Sequence, residues 1–382
     1  MAETVKFSIP KSVKSNEPMF KSLLEMIVVT LMAPHLSING AKKCGILNQS
    51  PSNCYDHIAK LGKLFISGKV TLEDFLKNLK ADTNISDGTL SKRTGKNIYA
   101  AKKLKNHSKG NYGIYQDILL TVRRYKGINF ITAFKIINHL KRHLSKPDEL
   151  VKAMKTGIIK AGEWLVIDAG LKSGRVLRQG RISGVKVVSR LASNFVVKRF
   201  GSSYRKDDIL RHIKPIQRTI DGENYTIYPF KGCLWQGTMV NLFLVRADGY
   251  DNYIHLITTS LNSKPETIIM KYEERFSIEV TFKELKSYLK IESNYFEVKE
   301  SNYGYFFLLC LVYNFIQYLR LYIHDKSFKD TLDGLSAYLL SKRPPKAAAL
   351  MGDALKGVYA NIGYDGVNRM NDCLIEAILV SG

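Results

Sequence analysis

Residues 272–286 read Tyr-Glu-Glu-Arg-Phe-Ser-Ile-Glu-Val-Thr-Phe-Lys-Glu-Leu-Lys. Ser263, Lys264, Pro265 and Glu266 stand upstream. A Ser three residues before a Glu predicts a capping box, and Pro suits a first helical turn. The stretch is therefore expected to be one helix. At about 100° per residue, Tyr272, Arg275, Glu279 and Lys286 fall within about 60° of one another. Lys283 and Lys290 lie on the same stripe. Ile269, Phe276 and Val280 flank it on one side; Ile278, Phe282 and Leu289 flank it on the other. Glu273, Ser277, Thr281 and Glu284 form a separate polar face. A surface helix ordinarily has one polar face. Here a second polar stripe gathers cations around the single carboxylate of Glu279, between apolar walls.

Working outward, the segments before this helix alternate. Residues 82–89 (Asp82 to Thr89) precede a basic stretch, and Tyr112–Val122 reads as a strand. Pro147–Ile159 reads as a helix. Gly162–Asp168 is an apolar strand ending in an acid. Leu171–Gln179 reads as a short helix and Val185–Leu191 as another strand. This order fits an α/β, ribonuclease-H-like core, in which a site lies at the carboxyl ends of strands. Short β-rich runs over 192–260 read as a β-rich insertion. The helix of residues 272–286 follows it, and the tail 327–382 reads as short helices with a basic kink at Lys342-Arg343-Pro344-Pro345-Lys346.

Three acids emerge: Asp87, Asp168 and Glu279. Converging carboxylates repel unless cations neutralise them, and such hard oxygen donors suit Mg²⁺ or Mn²⁺. Two such ions clamp the attacking and leaving oxygens of a phosphoryl displacement. Arg and Lys nearby suit flanking phosphates. Asp82 is a rival for the first position, because residues 82–86 are more polar than a buried central strand ordinarily is.

Composition agrees with a nucleic-acid partner. The 382 residues carry a formal net charge of +24, which implies a polyanion. From Gly88 to Gln116 there are seven Lys or Arg and no acid: Lys92, Arg93, Lys96, Lys102, Lys103, Lys105 and Lys109. Five scattered cysteines without a CxxC pair argue against a disulfide framework and a cysteine zinc site. The N-terminus lacks a signal-peptide pattern. Residues 303–323 are long and apolar enough to invite a membrane reading. Asn314, Gln317 and Arg320 interrupt them, so a buried core helix is expected and no membrane. Near the N-terminus, Met19–Ala33 is an apolar helix. A helix at Ile38–Cys44, a turn at Gly45–Gln49 and a helix opened by Ser50-Pro51 outline a helix-turn-helix. Ser52, Asn53, Asp56, His57 and Lys60 would then face a DNA groove. Val70–Leu79 reads as one more helix.

The spacing of Tyr272, Arg275, Glu279 and Lys286 resembles the Tyr-Arg-Glu-Lys signature of DDE transposases from bacterial and archaeal insertion sequences. IDAGLKSGRVLRQGRISGVKVVSRLASN (167–194) resembles that family's second-Asp segment. ISDGTLSKRTGKNIYAAKKLKNHSKGN (85–111) resembles its first-Asp segment. The resemblance spans roughly residues 80–325. It implies catalytic metal ligands Asp87, Asp168 and Glu279, with Mg²⁺ or Mn²⁺ as cofactor. It implies that Tyr272, Arg275 and Lys286 contact DNA, joined by Lys283, Lys290, Lys92, Arg93, Lys96, Lys102 and Lys103. It also implies cleavage of DNA at element ends and strand transfer into target DNA. The partners would be terminal inverted repeats and target DNA, and the protein a homodimer or higher in a prokaryotic, nucleoid-associated cytoplasmic setting. Some members pass through a DNA hairpin with a flipped base on an aromatic; Trp235 is either that aromatic or a core residue. The alternatives are a domesticated or inactive descendant that only binds DNA, and a metal-dependent nuclease without strand transfer. The expected organisation is a helical N-terminal DNA-binding domain (1–79), a first core part (80–191), the β-rich insertion (192–260), a second core part (261–326) and a helical C-terminal region (327–382).

Overall fold

The computed structural model describes residues 5–341, apart from residues 9, 33, 35–36, 94–96, 107–109, 140–144 and 323–325. The basic kink at 342–346, Lys96 and Lys109 lie outside the described residues.

The N-terminal region starts with β1 (Lys6–Phe7) and α1 (Lys11–Lys14). It continues with α2 (Glu17–Met32), α3 (Ile38–Lys43) and α4 (Pro51–Ile66). Serines start two of these helices. The Ser37 side chain accepts from the Gly40 N–H, and Ser50 accepts from Asn53 N–H with Pro51 in the first turn. The helix expected over residues 70–79 is instead a 3-10 turn, Glu73–Phe75, followed by β2 (Leu76–Lys77), which pairs antiparallel with β1. Thr71 and Asp74 bond each other's backbone N–H and close a tight turn. Phe75 then packs beside Phe7.

The central layer is a sheet. Its first half comprises β3 (Thr83–Lys92), β4 (Lys102–Asn106), β5 (Asn111–Tyr125) and β6 (Ile128–Ile137). Then come α5 (Lys146–Lys155), β7 (Trp164–Ile167), α6 (Gly174–Ser183) and β8 (Lys186–Leu191). The spatial order β6-β5-β3-β7-β8 has antiparallel pairs on the β6 side and parallel pairs from β3 to β8. It is a mixed, open sheet, consistent with the expected ribonuclease-H-like core. Lys126 and Gly127 both have positive φ. They form the two-residue turn that matches strand twist between β5 and β6.

The β-rich insertion comprises β9 (Val197–Arg199), β10 (Ser202–Tyr204), α7 (Lys206–His212), β11 (Ile216–Ile220), β12 (Glu223–Trp235), β13 (Thr238–Ala247) and β14 (Ile254–Thr258). It extends the core sheet: β14 runs antiparallel to β8, and the whole forms one 12-stranded sheet. Three helices complete the core, α8 (Pro265–Glu273), α9 (Ser277–Ser287) and α10 (Lys299–Arg320), and α11 (Phe328–Ser341) follows.

α10 is the buried helix of the fold, with Tyr313, Phe306 and Phe307 fully enclosed. Among the described residues no helix is long and apolar enough to cross a membrane. The polar interruptions read in the sequence have internal partners. Asn314 bonds both the N–H and the C=O of Ile131 in β6, and Gln317 donates to the Tyr313 hydroxyl. The N-terminal helices share this core. A Cβ on Gly62 of α4 would overlap the Glu300 carbonyl of α10, and one on Gly304 would overlap the Ile58 carbonyl. The two backbones touch only because both positions lack a side chain. A second apolar cluster lies on the opposite side of the sheet, under α5 and α6.

Candidate active site

The polar central strand works because its side chains find cross-strand partners. Asn84 donates to Glu163 and to the Trp164 carbonyl, and accepts from Arg123. Ser86 and Thr121 bond at 2.8 Å. Buried polar groups so satisfied cost little. The parallel register pairs Ser86 of β3 with Ile167 of β7. Asp87 and Asp168 are the next residues on these two neighbouring strands, so one strand spacing, about 4.8 Å, separates their backbones. Asp82 lies at the other end of β3. It is exposed, and it pairs with Lys271 at 3.2 Å.

The third acid arrives on α9. The single helix expected over 272–286 is broken: α8 ends at Glu273, a 3-10 turn covers Glu274–Phe276, and α9 begins at Ser277. The expected capping box is also absent. Lys264 is the N-cap, Ser263 bonds Ser260, and Glu266 pairs with Arg218 at 2.6 Å. The 3-10 turn carries Arg275 inward, where its side chain is 9% exposed. One guanidinium nitrogen lies 3.6 Å from Asp87 and 3.9 Å from Asp168; the other lies 3.2 Å from Glu279. All three carboxylates thus surround one buried cation. Its plane also covers the Phe276 ring at 4.5 Å and the Tyr272 ring at 5.7 Å.

Electrostatics follow from this packing. Burial raises the Asp87 carboxyl above its usual value. The Gly88 N–H works against that shift, Asp168 adds to it, and Arg275 and Lys146 oppose it. Burial alone would lower Arg275. Tyr272 and the carboxylates of Asp168, Asp87 and Glu279 outweigh it and hold Arg275 above its usual value. Lys172, four residues after Asp168, is lowered by burial, with Asp168 opposing the shift.

The faces of α9 differ from the sequence expectation. Ser277, Thr281 and Glu284, read as a polar outer face, turn toward β6 and α10. Asn129 donates to the Ser277 carbonyl and the Thr281 hydroxyl, and Tyr313 and Gln317 donate to Glu284. Burial raises the Glu284 carboxyl. Phe276 and Val280, expected as apolar walls, are each 54% exposed.

The residues expected to contact DNA divide. Lys283, Lys92, Lys102 and Lys103 are exposed. Lys286 is half-buried and donates to the Leu90 carbonyl at 3.1 Å, which ties α9 to β3. Lys290 is exposed but lies past the end of α9 in a left-handed conformation, so it leaves the helical stripe. Tyr272, Arg275 and Arg93 depart from expectation because all three are buried. Tyr272 lies under Arg275. Arg93 donates to Gln116 at 2.7 Å and to the Ile291 carbonyl at 3.1 Å, and burial lowers it to about 10. Trp235 is a core residue, 8% exposed. In the helix-turn-helix outline, Ser52, Asn53, Asp56 and Lys60 are exposed. His57 is instead buried against Ser22 at 2.6 Å, and burial lowers it.

Sequence reasoning missed three residues beside the centre. A cavity of about 410 Å³ is lined by Asp87 and Asp168, and also by Asp117, His139 and Lys146. Asp117 carried a readable signal: it is the one acid within the otherwise apolar run of β5.

Residues 138–315 match a family model described as transposase DDE domain. Those residues carry a DDE transposase domain. The match includes Asp168, Tyr272, Arg275, Glu279 and Lys286, and it begins after Asp87. No curated protein matches the chain. A DDE domain carries a DNA-acting nuclease or transposase role. The three carboxylates are the oxygen donors a divalent cation takes. Among the described residues they do not form one metal-sized cluster, because they are arranged about Arg275.

Proposed function

We propose that this DDE transposase cleaves DNA at the ends of its own element and joins the freed 3′-hydroxyl to target DNA. The observation that carries the reading is the meeting of Asp87, Asp168 and Glu279, from β3, β7 and α9, around one buried guanidinium. These three would hold Mg²⁺ or Mn²⁺, which when bound supplies Lewis-acid activation of the attacking and leaving oxygens. The chain's own residues supply position and charge. Arg275 offsets the repulsion among the three acids and fixes their directions. Lys286 holds α9 to the strand that bears Asp87. The exposed Lys283, Lys290, Lys92, Lys102 and Lys103 offer phosphate contacts along the approach, and the +24 net charge draws a polyanion to them. The terminal inverted repeats and target DNA are the substrates. Two ends must be cut together, which calls for a homodimer or larger assembly. The exposed face of α4 (Ser52, Asn53, Asp56, Lys60) supplies end recognition.

The test is cleavage and strand transfer of terminal-inverted-repeat DNA with Mg²⁺, wild type against Glu279→Gln. Wild type is expected to cut and join. The variant should lose at least about 100-fold, more than an outer-sphere partner of a metal ligand costs. Unchanged activity in the variant overturns the assignment. Cutting without joining makes the chain a nuclease, and binding alone makes it a DNA-binding descendant.

A further inference from the structure

Lys146 opens α5, and its ammonium lies 2.6 Å from one carboxylate oxygen of Asp117. The other oxygen of Asp117 is 3.0 Å from His139 Nε2. The Asp117 side chain is 8% exposed, so the anchor is buried, while Lys146 at 22% opens into the 410 Å³ cavity that Asp87 and Asp168 also line. A Cβ on Gly88 would overlap the Lys146 ammonium. Gly88 has no positive φ, so its backbone conformation does not require glycine. The missing side chain instead makes room for a cation beside Asp87, as a glycine inside a strand does where another group approaches closely.

We propose that Lys146 is a phosphate-binding residue of this centre: anchored on Asp117 and seated over Gly88, it takes a backbone phosphate of the DNA strand that reaches Asp87 and Asp168. A strand entering there meets the negative field of three carboxylates. Arg275 faces those carboxylates from the α9 side of the sheet. Lys146 stands on the other side, held by charge against Asp117, and an ammonium carries three N–H donors for an incoming phosphate. His139 holds the second oxygen of Asp117, which fixes the anchor and therefore the ammonium. This rests on the DNA-cleaving reading above.

The experiment measures binding of an element-end duplex in the Glu279→Gln background, so that no cleavage intervenes, as a function of salt. Removing one phosphate contact lowers the slope of log K against log salt by about 0.9. Lys146→Ala is expected to lower it by that amount, and Lys146→Arg to restore it. Lys146→Gln, with thermal unfolding of each variant, keeps the result readable should alanine disturb the start of α5. If DNA binds and the slope is the same in all variants, Lys146 only neutralises Asp117 and the proposal fails alone. If the protein with Lys146 intact binds no DNA, the DNA-cleaving reading fails and the proposal falls with it.

Discussion

Arg275 is held by three carboxylates that would repel one another without it, and long-range partners of this kind decide which charged residues leave the surface. The sequence singled out Glu279 by helical spacing and Asp168 by the end of an apolar strand, whereas Asp87, expected at a strand end, lies in the middle of β3. The burial of Arg93 was not legible. A Lys-Arg pair at the end of a strand reads as solvated, and its burial depends on Gln116 and the Ile291 carbonyl, which are far away in sequence. His255 shows the same dependence with a measurable consequence. It lies inside β14 with its ring edge-on to Phe195 at 5.2 Å, and among the described residues its Nε2 has no hydrogen-bond partner. Burial, and then Lys206, lowers its pKa below the usual 6.5. The folded chain therefore binds fewer protons at this group than the unfolded chain. The stability it contributes is present above pH 6.5 and is lost as pH falls through the lower folded value. The urea midpoint should drop between pH 7.5 and 5.5, and His255→Leu should flatten that drop. An equal drop in the variant would assign the effect to other groups.

The helix that organised the sequence reading exists as two helices around a 3-10 turn. A 3-10 turn advances about 120° per residue against about 100° in an α-helix, so three residues add a rotation of roughly 60°. That rotation explains why the wheel drawn from the sequence brought the right residues together around Glu279 but misassigned the faces of α9. The contact of α4 with α10 was illegible for a different reason. Neither Gly62 nor Gly304 has positive φ, so nothing local marks them. Gly62→Ala would place a methyl group into the Glu300 carbonyl and force the helices apart. Overpacking of this kind typically costs about 1–3 kcal/mol. The variant should therefore lose about 2 kcal/mol or more, read as a lower urea midpoint at unchanged slope. A loss under about 0.5 kcal/mol would mean the helices do not meet there.

At the scale of the molecule, the α/β character of the core followed from the alternation of segments, whereas the merging of insertion and core did not. Register between β8 and β14 depends on residues more than sixty positions apart, and short β runs read alone look like a separate unit. The same holds for residues 1–79: one hydrophobic cluster runs from Val5 to Leu339. Folding should therefore be shared across that boundary. Calorimetry of the chain should show a single transition with equal calorimetric and van 't Hoff enthalpies, and a chain starting at residue 80 should not fold. Separate melting of the N-terminal helices would contradict this.

The pairing of β14 with β8 also has a consequence for how such a chain can change. The polypeptide leaves the core after β8 and re-enters on the adjacent strand, so the position of Glu279 depends on where the chain returns and not on how far it travels between. Lengthening a loop costs only logarithmically in closure entropy. The segments between β8 and β14 are thus free to grow, shrink or acquire new surfaces for DNA ends while the carboxylates stay in register. Substitutions that unpair β14 from β8 would be felt at the reacting centre without touching it.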